Sequence, residues 1–311
     1  MPDLIRSGHW IDGREVPAAD KGVFPVKDPG NGEILGEAAR GREADVDRAV
    51  EAAGKALKAK AWAQMAPVDR GRRLMAWARL VERDQEKLAR LLSRENGKPL
   101  SGARGEIWTV FRYLEYFAGW ADKLDGRLPA QRTDALNYIL REPLGVVAHI
   151  IPWNYPADIF LRGVAPCLAI GNTVVIKPDE ETPFACIEVA KLSKEAGIPD
   201  GVVNLVTGLG VEAGAALAGH PGIQALAFCG SIPTGIEVLK LAAPNLTPVI
   251  SVELGGKSAN ILFDDCDVEG IAGGAAWGIC WNTGQSCGAQ SRLLVPRKRA
   301  EAAASRIIET M

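Results

Sequence analysis

From about Asn137 onward, short apolar runs alternate with segments of helical periodicity, and this pattern predicts strands and helices in turn. The predicted strands are 146–151, 173–176, 202–206, 223–228 and 249–253, and the predicted helices between them are 157–169, 184–196, 211–219 and 234–243. The strands are apolar almost throughout, which is typical of a parallel sheet buried on both faces. We therefore expect an α/β fold with a doubly wound parallel sheet.

The first part of the chain has a different pattern, with turn signals near the start and then long helical periodicity. We expect short strands around the turn at 8–13, a helix through 46–57, and a second helix that follows Pro67 and ends by Gly97. A third helix is predicted at 100–124. Its aromatic residues favour a core position over a ligand surface.

Composition places the chain among ordinary globular proteins, since 47% of its 311 residues are hydrophobic and 24% are charged. A net charge of −2 with both signs interspersed argues against nucleic acid as a partner. No apolar run approaches the roughly 20 residues that span a membrane. The first residues lack an apolar secretory core, so we expect a soluble cytoplasmic protein.

Ligands of parallel sheets bind at the carboxyl ends of the strands, so the residues that follow each predicted strand are candidates for chemistry. Asn154 follows the first strand between two prolines, where it can cap a turn or helix or donate to a developing oxyanion. Lys177 and Glu180 follow the next strand. Lys177 is either an exposed solvated charge or, together with the Glu180 carboxylate, a group that holds ribose hydroxyls. An acidic residue there favours NAD over NADP.

Two further strand ends carry small residues. Gly230 and Ser231 stand where backbone N–H groups can approach a pyrophosphate, although Ser231 can equally be a helix N-cap. The fingerprint G-x-G-x-x-G is absent from the first strand–helix turn. Glu253 ends the last strand, shortly before two glycines. It either faces a ligand or forms an ion pair with Lys257 or another base.

The six cysteines form no CxxC pair and no His/Cys cluster, so no structural metal site is expected. Most cysteines are small buried hydrophobes. Cys287 differs because it stands among glycine and small polar residues, after a helix at 270–281 and before a β-run at 291–295. It is a better nucleophile candidate than Cys167, Cys186 or Cys280, whose neighbours are mostly apolar.

Several segments in order resemble the motifs of the aldehyde dehydrogenase superfamily. They are Pro152-Trp153-Asn154, Lys177-Pro178-Asp179-Glu180, Phe228-Cys229-Gly230-Ser231, Glu253-Leu254-Gly255-Gly256-Lys257 and Gly284-Gln285-Ser286-Cys287. Each is weak alone, but their order on an alternating α/β pattern is specific. The resemblance covers essentially all of the chain and implies a Rossmann-like aldehyde dehydrogenase fold.

The resemblance implies three catalytic residues: Cys287 as nucleophile, Glu253 as general base and Asn154 as oxyanion donor. It implies an NAD site formed by residues near strand ends, namely Ile151, Pro152, Trp153, Lys177, Glu180, Gly230, Ser231 and Leu254. One departure is Cys229, which stands where the family usually has Thr. The replacement of Thr by Cys229 implies the loss of a hydroxyl near the nicotinamide.

The implied activity is oxidation of a small-molecule aldehyde to a carboxylic acid with NAD, through a cysteine thiohemiacetal and a thioester. The implied domains are an NAD-binding domain at 1–125 and 143–253, the start of an oligomerisation arm at 126–142, and the N-terminal part of a catalytic domain at 254–311. Members of the family form homodimers or homotetramers. No Glu-x-Phe-Gly motif follows Cys287. The alternative is therefore a C-terminally truncated, non-catalytic NAD-binding fragment or pseudoenzyme.

Overall fold

A computed structural model describes residues 4–130, 133–247 and 249–311. The region before residue 40 forms short strands: β1 (Ile5–Ser7), β2 (His9–Ile11), β3 (Arg14–Val16), β4 (Val23–Lys27) and β5 (Ile34–Ala39). Strands β2 and β3 are an antiparallel hairpin. Asp12 and Gly13 at its turn have φ values of 54° and 66°. A hairpin turn with positive φ at both central residues matches the right-handed twist of the strands, which accounts for the Asp-Gly pair there.

The helical region contains α1 (Glu43–Lys58), α2 (Lys60–Ala63), α3 (Pro67–Arg83), α4 (Gln85–Asn96) and α5 (Leu100–Trp120). The prediction of one helix from Pro67 to Gly97 is wrong, because Asp84 has a ψ of 11° and separates α3 from α4. Helix α4 ends at Gly97, whose φ of 80° is the left-handed conformation that glycine adopts readily at a helix C-terminus.

The central region alternates strands and helices as predicted: β6 (Val146–Ile150), α6 (Pro156–Ala169), β7 (Thr173–Lys177), α7 (Phe184–Glu195), β8 (Val203–Leu205), α8 (Ala215–Ala218), β9 (Ala225–Gly230), α9 (Ile232–Ala242) and β10 (Val249–Leu254). The predicted helix at 211–219 is a π-helical turn, Gly210–Gly214, that runs into α8.

The main sheet has the strand order β10-β9-β6-β7-β8-β2-β3. Strand β6 pairs in parallel with both β7 and β9, and β7 pairs in parallel with β8. The α/β prediction is thereby confirmed. The chain moves outward from β6 to β8 and then returns to the other side of β6, which is the strand-order reversal where doubly wound sheets bind ligands. The antiparallel edge formed by β2 and β3 was not predicted.

Helix α5 packs most of its aliphatic residues fully into the core, and its aromatic residues divide: Phe111, Tyr113 and Phe117 are partly buried against the core. Ile107, Val110 and Leu114 are fully buried, whereas the side chains of Trp108 and Trp120 are 56% and 45% exposed. The expectation of an aromatic core stripe is therefore wrong for these tryptophans. Residues 103, 107, 110 and 114 follow one helical face, and the two tryptophans lie off it.

Contacts divide the described chain into two compact units, Met1–Cys229 with Pro233–Val252, and Gly230–Ile232 with Glu253–Met311. The second contains β11 (Ala259–Ile261), α10 (Val268–Cys280), β12 (Arg292–Leu294) and α11 (Ala300–Thr310), with β11 and β12 parallel. Residues 131 and 132 of the expected oligomerisation arm lie outside the described residues. Among the residues that are described, no helix combines the length and apolar character needed to cross a bilayer.

Candidate active site

The turn after β6 carries Asn154. Ile151 donates its backbone N–H to the Lys177 carbonyl at 3.0 Å, so the end of β6 is tied to the end of β7. Ile151 and Pro152 are buried, Trp153 is exposed and Asn154 is partly buried. Helix α6 has Tyr155 as its N-cap residue. Asn154 therefore lies one residue before the cap, within the strand-to-helix turn.

The turn after β7 brings Lys177 and Glu180 together. The Lys177 side chain is only 3% exposed, and its Nζ lies 2.7 Å from a Glu180 carboxylate oxygen. Burial raises the pKa of Glu180, but the charge of Lys177 and its hydrogen bond outweigh burial and hold the pKa below its ordinary value. The alternative of a solvated surface lysine is wrong, and Glu180 is held as an ionised acceptor beside a fixed ammonium group.

The end of β9 holds the small residues noted in the sequence. Cys229 is buried, and Gly230 is the last residue of the strand. Ser231 lies between β9 and the first residue of α9, Ile232. The residues named for a pyrophosphate thus stand at a strand end that leads directly into a helix, where backbone N–H groups are not yet used by helical hydrogen bonds.

Glu253 and Leu254 are the last two residues of β10, and the Glu253 side chain is exposed. Among residues 4–130, 133–247 and 249–311, no ion pair joins Glu253 to Lys257. A Cβ built on Gly256 would lie 3.3 Å from the Cys287 carbonyl oxygen. The segment that leaves β10 therefore runs closely past the backbone of Cys287.

Cys287 follows an unusual turn. Asn282, Thr283 and Gly284 have φ values of 52°, 56° and 78°, so successive residues are left-handed. This conformation is unfavourable for a β-branched residue such as Thr283, and such strain is concentrated at functional sites in proteins. The Cys287 thiol is exposed at the end of this turn.

Cys186, which is buried, and Cys167, which is partly buried, contrast with Cys287. Burial raises the pKa of Cys167 to about 12, and it raises the pKa of Cys186 as well. Both remain thiols at neutral pH and are poor nucleophiles. Cys280 on α10 is exposed, as Cys287 is, and is a natural control for it.

Sequence reasoning missed a group of buried polar side chains around the Asn154 turn. Lys98 and Asn96 donate hydrogen bonds to the carbonyls of Asn154 and Trp153, and Lys98 pairs with Glu106. The available signal was Glu106, a charged residue on the same helical face as the buried Ala103 and Val110.

The model of the aldehyde dehydrogenase family matches residues 16–311. This chain belongs to the aldehyde dehydrogenase family. Among its curated relatives, an aldehyde dehydrogenase of Aspergillus niger is 42% identical over 288 residues, which cover 93% of this chain and 58% of the relative. A hydroxyisobutyraldehyde dehydrogenase of Mycolicibacterium austroafricanum is 43% identical, with 92% and 56% covered.

Solved aldehyde dehydrogenases share the fold. The NAD⁺ complex of the Bacillus cereus enzyme superposes with a TM-score of 0.96 at 38% identity, covering 98% of this chain and 62% of that one. The Sinorhizobium meliloti NAD-dependent aldehyde dehydrogenase gives 0.96 at 39% identity, covering 99% and 61%. The expected aldehyde dehydrogenase fold is confirmed. The chain spans about 58% of the length of the Aspergillus niger relative.

Proposed function

We propose that this chain acts in the oxidation of an aldehyde to a carboxylic acid with NAD. The observation that carries the proposal is the exposed Cys287 thiol, which follows a strained left-handed turn in a chain of the aldehyde dehydrogenase family. The relatives are named for different aldehydes, among them hydroxyisobutyraldehyde and benzaldehyde. We therefore propose an aldehyde as the class of substrate and name no particular aldehyde.

The polar groups at the strand ends fit a dinucleotide. The Lys177 ammonium and the ionised Glu180 carboxylate offer a donor and an acceptor, which suit the vicinal hydroxyls of the adenosine ribose. Repulsion between Glu180 and a 2′-phosphate favours NAD over NADP. Gly230 and Ser231 would hold the pyrophosphate, with Ile151, Pro152, Trp153 and Leu254 as further cofactor contacts.

Cys287 would act as the nucleophile. Its thiolate adds to the carbonyl carbon and forms a tetrahedral thiohemiacetal, whose oxyanion accepts a hydrogen bond from the Asn154 side-chain amide. The chemistry that bound NAD supplies is acceptance of a hydride from the substrate carbon. The acyl group then remains on Cys287 as a thioester.

Glu253 would complete the reaction as general base. Its carboxylate takes a proton from water, the resulting hydroxide attacks the thioester, and the carboxylic acid leaves while the Cys287 thiolate is restored. A base at this position favours hydrolysis over transfer of the acyl group to coenzyme A.

We also propose that the chain forms a homodimer or homotetramer. Light scattering would measure the mass of the oligomer.

The test is NADH formation from a panel of short aliphatic and aromatic aldehydes by the purified chain. Cys287→Ala is the variant, and Cys280→Ala is the matched control because it removes another exposed thiol of the same unit. We expect turnover that Cys287→Ala abolishes and Cys280→Ala retains. Calorimetric NAD binding without turnover on any aldehyde would overturn the catalytic proposal. That result would instead support a non-catalytic nucleotide-binding role.

A further inference from the structure

A lysine and a glutamate are buried together beneath the turn that carries Asn154. The side chains of Lys98 and Glu106 are 0% and 2% exposed and form an ion pair. A buried ion pair adds little net stability, since the desolvation of both charges offsets their attraction. Apolar side chains of the same volume would fill the space at least as well. Stability therefore does not explain why these two charges are buried, and their role follows from the groups that they contact.

Lys98 reaches the turn directly. Its Nζ donates to the Asn154 carbonyl at 2.9 Å and lies 4.5 Å from the centre of the Tyr155 ring, within range of a cation–π interaction. The Asn96 amide donates to the Trp153 carbonyl at 2.6 Å. Two side chains from the end of α4 and the following loop thus bind consecutive carbonyls of this turn.

Glu106 holds the other end of the turn. Tyr155, the N-cap residue of α6, contributes no side-chain cap. Instead, one Glu106 oxygen accepts the backbone N–H groups of Ala157 and Asp158 at 2.9 and 3.1 Å. A carboxylate at a helix N-terminus satisfies free donors and interacts favourably with the helix dipole. The cap of α6 therefore comes from the N-terminal half of α5.

These contacts hold the backbone on both sides of the Asn154 side chain. Lys98 binds the Asn154 carbonyl, and Glu106 binds the amides three and four residues later. The direction of an amide donor follows from the backbone that bears it, and a small displacement of a catalytic group lowers the rate strongly.

We propose that Lys98 and Glu106, assisted by Asn96, are positioning residues that orient the Asn154 amide for the oxyanion. The proposal rests on the proposed function of Asn154 as oxyanion donor. In this role the three side chains touch neither the substrate nor the cofactor. Their effect on catalysis passes through the backbone of residues 153–158.

The variant of choice is the double substitution Lys98→Met with Glu106→Gln. It removes the donor to the Asn154 carbonyl and both charges, so no unpaired charge is left buried. The glutamine side chain keeps a carbonyl oxygen for the amides of α6. Glu95→Gln is the matched control, since the buried Glu95 side chain accepts hydrogen bonds from the backbone N–H groups of Phe184 and Ala185 at 2.7 and 2.9 Å, at the start of α7. Burial raises the pKa of Glu95 to about 8, so the neutral glutamine preserves both its shape and its charge at neutral pH.

The first readout is hydrogen–deuterium exchange, which requires no turnover. In the double variant we expect amide exchange across 153–158 to rise about tenfold, as for the loss of one charged hydrogen bond, with residues 184–195 unchanged. Glu95→Gln should leave 153–158 unchanged. Unaltered exchange at 153–158, or an equal rise in α7, overturns the proposal.

The second readout is a double-mutant cycle in NADH formation. We expect the double variant to lower kcat about tenfold or more, with KM values for NAD and aldehyde within about twofold of wild type. In the Asn154→Ala background the same two substitutions should have no further effect on kcat, because the group that they orient is gone. A full additional loss in that background overturns the positioning role. Absence of turnover in the wild-type chain contradicts the proposed function alone, and the exchange readout still decides the positioning proposal.

Discussion

We expect His149 to make the stability of the sheet sensitive to acid. It lies in β6, pairs in register with Ile176 of β7 and Ala227 of β9, and is 4% exposed. A Cβ on Gly163 would lie 2.6 Å from the imidazole Nδ1, so the glycine leaves the space that the ring occupies. The Cys167 thiol lies 3.7 Å from Nε2. Burial lowers the pKa of His149 to about 4.

The consequence for stability follows from the unfolded chain, in which histidine has its ordinary pKa of about 6.5. Below that pH the unfolded state binds a proton that the folded state does not. The stabilising effect of a neutral His149 is therefore present above about pH 6.5 and is lost as the pH falls towards about 4. Each pH unit inside this window costs about 1.4 kcal/mol, so acidification from pH 7 to pH 5 should remove about 2 kcal/mol.

The assay is urea unfolding at pH 7 and at pH 5, in reducing buffer, for wild type and His149→Phe. Other titrating groups contribute equally to both proteins, so the difference between their pH-dependent losses isolates His149. We expect wild type to lose about 2 kcal/mol more than the variant. Cys167→Ala should retain the wild-type loss, because desolvation lowers the pKa. Equal losses in wild type and His149→Phe would refute the reasoning.

Four further predictions concern the site and the core. Asn154→Ala should lower kcat about 10²–10³-fold, and an unchanged kcat would exclude its oxyanion role. Glu253→Gln should slow thioester hydrolysis about 10²–10⁴-fold and leave a burst of NADH in stopped-flow traces, whereas a steady rate without a burst contradicts a deacylation role. Iodoacetamide should label Cys287 in the native protein well before the buried Cys186, as peptide mapping by mass spectrometry would show; comparable rates contradict the burial argument. Phe160→Ala should lower the free energy of unfolding by about 3–5 kcal/mol, since the ring is fully buried; a loss below about 1 kcal/mol in urea unfolding would contradict that burial.

Local pattern alone determined most of the central sheet. The apolar runs at 146–151 and 173–176 became β6 and β7 within a residue or so at each end, because a strand covered on both faces must be apolar throughout. Polar residues at the ends of these runs then indicated the candidate site, since parallel strands end at a common edge. The position of Cys287 among small residues likewise set it apart from the apolar surroundings of Cys186.

Long-range packing decided the remainder. The hairpin of β2 and β3 joins the main sheet through a pairing between Trp10 and Leu205, which are far apart along the chain. The sequence around Lys98 indicates only the end of a helix. The packing of α5 against α6 places Lys98 in a buried position where it binds the Asn154 turn. Hydrophobic periodicity records which face of an element is buried, but it does not specify which distant backbone groups a buried charge will meet.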